Sequence, residues 1–186
     1  MQTGMLFTQL LAVSTLLGNA AIVILLLAHV FWKPQFKIIM RYIAAHGLFL
    51  AFVLALAATI GSWTYGQVMG YAACILCWIQ RIFMYPLPFL LGLAIWRGRD
   101  RSVIPYALFL TLCGAAVALY QWIKDMLALY AHISVGCPVV PGLPSCDRMY
   151  VLEFGYVTIP MIALNAFLLI AIVLYASLRS AKFNDD

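Results

Sequence analysis

Charge is what this chain has least of. Only 9% of its 186 residues are charged and 66% are hydrophobic, whereas a soluble domain carries roughly 25% charged residues. With a mean hydropathy of +1.03, the composition excludes a water-soluble globular fold and implies a polytopic membrane protein. No Lys or Arg precedes Lys33. A cleaved signal peptide needs a basic start and a shorter apolar core, so residues 5–32 read as a retained span. The loop Trp63–Ala73 has no charged residue at all. The net charge of +5 is not a nucleic-acid footprint. Most basic residues fall in three clusters beside apolar runs: Lys33, Lys37 and Arg41; Arg97, Arg99 and Arg101; Arg179 and Lys182. Basic residues next to spans mark cytoplasmic loops.

Runs of about 20 apolar residues cross a bilayer, and five are present: 5–32, 42–64, 76–96, 103–123 and 155–178. With the N-terminus outside and the C-terminus inside, all three basic clusters lie inside. The fold class expected is all-α, a bundle of five transmembrane helices. Pro86 and Pro88 are expected to kink the third. Arg97–Arg101 is a very short inner turn, so helices three and four are antiparallel neighbours. His29 and His46, near inner helix ends, read as packing residues, and Cys113, mid-span, as a small hydrophobe.

The remaining four cysteines all face the outer side in this topology, where disulfides form and persist. Cys74 and Cys77 are spaced C-x2-C where the uncharged loop enters the third span. Residues three and four apart share a helix face, so Cys74, Cys77 and Arg81 form one stripe near a helix N-terminus. Such an N-terminus carries roughly half a positive charge, and thiolates are stabilised there and beside cations. A C-x2-C bridge closes almost no loop and is a poor staple. Redox activity or metal binding is its commoner use. Cys137 and Cys146 enclose a loop with three prolines and a glycine. A link of ~10 residues there would stabilise by about 2.5–3 kcal/mol, so a structural staple stands beside a redox role for this pair. Four thiolates converging on a soft metal is a further alternative, although the x8 spacing is unusual for zinc. Arg81 favours redox chemistry, because a charge within a membrane helix marks a functional site by default. Snorkelling to the interface is the competing explanation. Its role would be to stabilise a Cys77 thiolate and an anionic electron acceptor lying against it.

Cys-Ile-Leu-Cys-Trp-Ile-Gln-Arg-Ile-Phe-Met-Tyr-Pro-Leu, residues 74–87, resembles the disulfide bond formation protein B family, DsbB, and is most similar to its compact BdbC-like branch. Phe154–Pro160 (Phe-Gly-Tyr-Val-Thr-Ile-Pro) and the cysteine pair just before it match the same branch. Vitamin K epoxide reductase-like proteins place the loop pair first and fit less well. The resemblance covers about residues 42–180. It implies a four-helix redox domain there, with residues 1–41 as an extra N-terminal helix and basic inner loop, and 181–186 as a short cytoplasmic tail. It also implies catalytic Cys74, Cys77, Cys137 and Cys146, with quinone (ubiquinone or menaquinone) bound by Arg81 and Cys77. The partner it implies is a DsbA-like thioredoxin-fold thiol oxidase outside a bacterial plasma membrane, with lipid around the helices. Electrons would run from partner to Cys137–Cys146, then to Cys74–Cys77, then to quinone. Two departures stand out: the extra first helix, and the short Cys137–Cys146 separation. Gln121, Lys124 and His132 lie where they could border the quinone, and none is assigned. The competing functions are soft-metal binding by the outer thiols and a structural subunit with a stapled loop.

Overall fold

In a computed structural model, each apolar run becomes a helix long and apolar enough to span a membrane, five in all among the described residues. The described residues are 2–31, 43, 45–133, 135–137, 140–146 and 148–182. The first basic cluster, Lys33 to Arg41, and the side chain of His29 therefore lie outside them. Helix α1 is Gln2–Phe31, and α2 is Gly47–Trp63, prolonged by a single π-turn, Thr64–Val68. The third span is broken as its prolines predict. Helix α3, Ile75–Met84, meets α4, Pro86–Trp96, at Tyr85, because Pro86 has no N–H to give the preceding turn.

The short turn follows, with Gly98 and Arg99 at positive φ (84° and 67°). Asp100 accepts from the Ser102 amide at 2.9 Å and starts the next helical stretch. Helix α5 is Ile104–Tyr130, and α6 is Ile159–Lys182. Among the described residues the only strand-like pairing is the isolated bridge between Glu153 and Val157.

Two boundaries depart from expectation, for physical reasons. Helix α5 does not stop near residue 123, because Lys124 and Asp125 are buried (2% and 4% exposed) and lie 3.7 Å apart. A charged pair that satisfies itself continues a helix that a hydropathy reading ends there. Helix α6 begins at Ile159 rather than near 155. Phe154 and Gly155 both sit at positive φ (52° and 79°), and the Glu153–Val157 bridge holds that stretch out of the helix.

The core forms around α6, which packs against α5, α2 and α1. Small residues let the helices approach closely, as is usual where lipid offers no hydrophobic drive. Ala51 and Ala55 on α2 and Ala107, Ala115 and Ala118 on α5 are buried. Gly114 is packed directly against the Phe167 ring, which occupies the space a side chain would need. Antiparallel connections bring the loop before α3 and the loop between α5 and α6 to one end of the bundle. Arg99, Arg101, His46 and Ser177 gather at the opposite end.

Candidate active site

Cys74 is the N-cap of α3, extended at φ −73°, ψ 174°, and Cys77 lies in the first turn. The extended N-cap lets the Cys74 sulfur lie against the helix start. The two thiols are free and their sulfurs are 3.2 Å apart. The Gln121 amide on α5 donates to both, at 3.6 Å each. Gln121 is oriented by Gln80 on α3, whose Nε2 donates to the Gln121 Oε1 at 2.8 Å. This buried glutamine pair locks α3 against α5 at the level of the sulfurs.

The Cys74 thiol is pulled from its ordinary 9.0 down to about 6. The hydrogen bond from Cys77 is the largest cause, opposed by burial. The amides of Cys77 and Leu76 and the Gln121 side chain add to the lowering. The sequence places the stabilised thiolate at Cys77; the Cys77 thiol and the amides of Leu76 and Cys77 favour Cys74 instead, while Gln121 serves both sulfurs alike. A depressed pKa lends stability fully above the unfolded thiol's value and loses it as pH falls through the folded one. Alkylation of Cys74 in the reduced protein should therefore show a midpoint near pH 6, followed by peptide mass spectrometry. A midpoint near 9.0, the ordinary thiol value, would contradict this assignment.

Arg81 lies one turn beyond Cys77. Its Nε donates to the Ser62 hydroxyl at 3.2 Å and an Nη to the Ser62 carbonyl at 3.4 Å. Its guanidinium carbon sits 5.0 Å from the centre of the Trp78 ring. Gly66, in the π-turn after α2, leaves room for this placement: a Cβ there would lie 2.9 Å from the guanidinium. Arg81 is thus fixed in place by α2 and Trp78, with its charge beside the cavity described below.

The second pair forms a disulfide, Cys137–Cys146, with Cα atoms 6.0 Å apart. Cys146 is buried, at 3% exposed, and Cys137 is half-buried. Cys146 clusters with Cys74 and Leu76, and Cys77 and Cys137 pack against that cluster. The Lys124 ammonium donates to the Cys146 carbonyl at 3.2 Å, so the buried charge pair of α5 ties this loop over the helix pair. Trp122 Nε1 donates to the Tyr156 carbonyl at 3.0 Å, and the Tyr130 hydroxyl to the Gly155 carbonyl at 2.8 Å. These hold the end of the same loop. Tyr71 stacks on Tyr150, 4.7 Å between ring centres, joining the two loops.

Below the sulfurs lies a cavity of about 360 Å³. Cys74, Cys77, Gln80, Arg81, Gln121 and Asp125 are among its polar lining, and Leu54, Ala58, Met84, Ala163 and Phe167 are among its apolar walls. Of the three residues left unassigned from sequence, Gln121 lines the cavity, while Lys124 and His132 do not. His132 is exposed at the end of α5, and Cys113 is half-buried mid-helix. Gln80 was missed as a functional residue. Its signal was a polar side chain three residues after Cys77 in an otherwise apolar run.

Fold and site together define a membrane-embedded dithiol protein, in which one cysteine pair opens on an apolar cavity and a second is packed over it. The family described as "Disulfide bond formation protein DsbB" matches residues 44–177, and the chain belongs to that family. It is 38% identical over 125 residues to the disulfide bond formation protein C of Bacillus subtilis, covering 67% of this chain and 87% of the relative. It is 42% identical over 130 residues to a probable disulfide formation protein of Metapseudomonas resinovorans, covering 68% and 85%. A probable disulfide formation protein C 1 of Bacillus anthracis is 34% identical over 135 residues, covering 73% and 94%. The chain matches no solved structure. It is a multi-pass membrane disulfide oxidoreductase by family.

Proposed function

We propose that this protein is a thiol:quinone oxidoreductase of a bacterial plasma membrane, reoxidising a DsbA-like thioredoxin-fold partner outside the cell. The observation that carries the reading is the cavity. The Cys74–Cys77 dithiol and the Arg81 guanidinium line it together, and its many apolar walls suit a flat ring with an isoprenoid tail. The basic residues at the opposite end of the bundle support an orientation with the cysteines outside and the C-terminus in the cytoplasm. Residues 42–180 form the redox domain in this reading, with 1–41 added before it and 181–186 as a tail.

The exchange steps follow from exposure and chemistry. A partner thiolate attacks the Cys137 sulfur, the more accessible of the loop pair, and the Cys137–Cys146 bond breaks to leave a Cys146 thiolate. The partner's second thiolate then attacks the mixed disulfide, releasing oxidised partner and the Cys137 thiol. The Cys146 thiolate, packed beside Cys74, attacks an oxidised Cys74–Cys77 pair, and Cys137 resolves the intermediate. The loop disulfide re-forms and the helix pair is left as a dithiol, the arrangement described above. A bound quinone would supply an acceptor for two electrons and two protons. Within the chain, Cys74 and Cys77, 3.2 Å apart, close to a disulfide and release those electrons and protons. Arg81 places positive charge where the acceptor gains negative charge, and the Gln80–Gln121 pair keeps both sulfurs oriented.

Purified protein, a reduced thioredoxin-fold partner and a soluble quinone, followed by quinone absorbance, test the proposal. Wild type should turn over steadily. Arg81→Ala should raise the quinone KM about tenfold or more, the size of effect expected for losing one charge-assisted hydrogen bond, without slowing reduction of the loop disulfide. No quinone reduction with any dithiol partner would sink the reading.

A further inference from the structure

Helix α1 lies wholly before the stretch matched by the family, residues 44–177, yet it is not a loose appendage. Thr8, Ala12 and Thr15 are buried, and with Gly18 and Asn19 they make one stripe at helical spacing. That stripe lies on α6, with Gly18 directly against the Asn165 side chain. Asn165 Nδ2 donates to Asn19 Oδ1 at 2.6 Å, and Asn165 is 4% exposed. Amides in hydrocarbon are costly without partners, so this pair fixes the rotation and depth of α1. Near its start, the Phe7 ring meets Tyr65 edge-on at 5.6 Å.

The same stripe reaches the redox cavity. Leu11, Ser14 and Thr15 line it together with Cys74, Cys77 and Arg81. The hydroxyls of Ser14 and Thr15 both donate to the Leu11 carbonyl at 2.8 Å. Their hydrogen-bonding is met within the helix, and the wall they present is effectively apolar. The other side of α1 exposes Leu10, Leu17 and Ile24, as a lipid-facing surface does. Without α1, the space between α2 and α6 would open sideways to acyl chains.

Resting on the quinone reading above, we propose that α1 is the fifth wall of the acceptor site, with Leu11 and Thr15 as specificity-determining residues. They exclude lipid chains and limit the size of the ring that enters. The chemistry of the sulfurs is untouched by this wall. Its effect falls on binding of the acceptor and on selection between acceptors, not on the thiol steps.

The test uses the full chain in lipid nanodiscs, with short-tailed benzoquinone and naphthoquinone as probes. Thr15→Trp, which adds volume into the cavity, should raise KM for both quinones at least about tenfold, as steric discrimination in apolar pockets typically does. The rate at which a dithiol reduces Cys137–Cys146, measured without quinone, should stay unchanged. Leu11→Ala adds no volume and keeps the test alive if the tryptophan variant does not fold. It should shift the naphthoquinone to benzoquinone ratio of kcat/KM at least about threefold toward the larger ring. If wild type turns over quinone but a folded variant leaves both KM and the ratio unchanged, the wall proposal is overturned and the quinone reading stands. If wild type reduces neither quinone, the underlying reading fails and the proposal falls with it.

Discussion

Cys77→Ser is expected to reduce quinone turnover by at least about a thousandfold, the scale on which loss of a covalent catalytic group acts. The sulfur of Cys77 is half of the only thiol pair in contact with the cavity among the described residues. A serine oxygen cannot close a disulfide with Cys74, so no two-electron donor remains at the cavity. The substitution is nearly isosteric and leaves the Gln80–Gln121 bond in place, so folding should be retained. The loop disulfide should also still be reduced by a thioredoxin-fold partner, because Cys137 is half-buried rather than enclosed. Partner oxidation would then occur once per molecule and stop. A variant that continued to reduce quinone near the wild-type rate would exclude Cys77 as the donor.

Lys124→Met should be the most damaging single change to stability. The Lys124 side chain is 2% exposed beside Asp125 at 4%, and its ammonium also holds the Cys146 carbonyl. Removing one member of a buried ion pair typically costs about 3–5 kcal/mol, because the other charge is left in low dielectric. Replacing both, as Lys124→Met with Asp125→Leu, should recover much of that loss, since well-packed apolar substitutes are often neutral. Chemical unfolding in detergent, followed by tryptophan fluorescence, measures both variants. The double variant should still release the loop, because nothing replaces the bond to Cys146. It should therefore fold and yet exchange electrons slowly between the two cysteine pairs. Equal stability of wild type and Lys124→Met would show that the pair does not act as a buried unit.

Much of this arrangement is legible in the sequence because bilayers impose simple constraints. Apolar length fixes the five spans, Pro86 and Pro88 announce the break at Tyr85, and Cys74, Cys77 and Arg81 declare one face by spacing alone. What is not legible comes from pairing across distance. Lys124 and Asp125 look like the end of a span until burial shows that they continue it. Gln80 and Gln121 are 41 residues apart, and nothing local says that they meet beside the sulfurs. The sequence points to a thiolate at Cys77 because Arg81 follows it by one turn, whereas the Cys77 thiol and the amides of Leu76 and Cys77 favour Cys74. Asn19 and Asn165 give helix α1 its place, and two amides in two apolar runs carry no signal of each other.

The most direct measurement of the central claim is a single turnover. Fully reduced protein is mixed with a limiting amount of soluble quinone, quinone absorbance is followed, and thiols are trapped by alkylation and located by peptide mass spectrometry. The account predicts that each quinone reduced removes two free thiols, lost first from Cys74 and Cys77 and only afterwards from Cys137 and Cys146. Quinone reduced while Cys74 and Cys77 stay fully alkylatable at every time point, including before any loss at Cys137 and Cys146, or no quinone reduced at all, would contradict it.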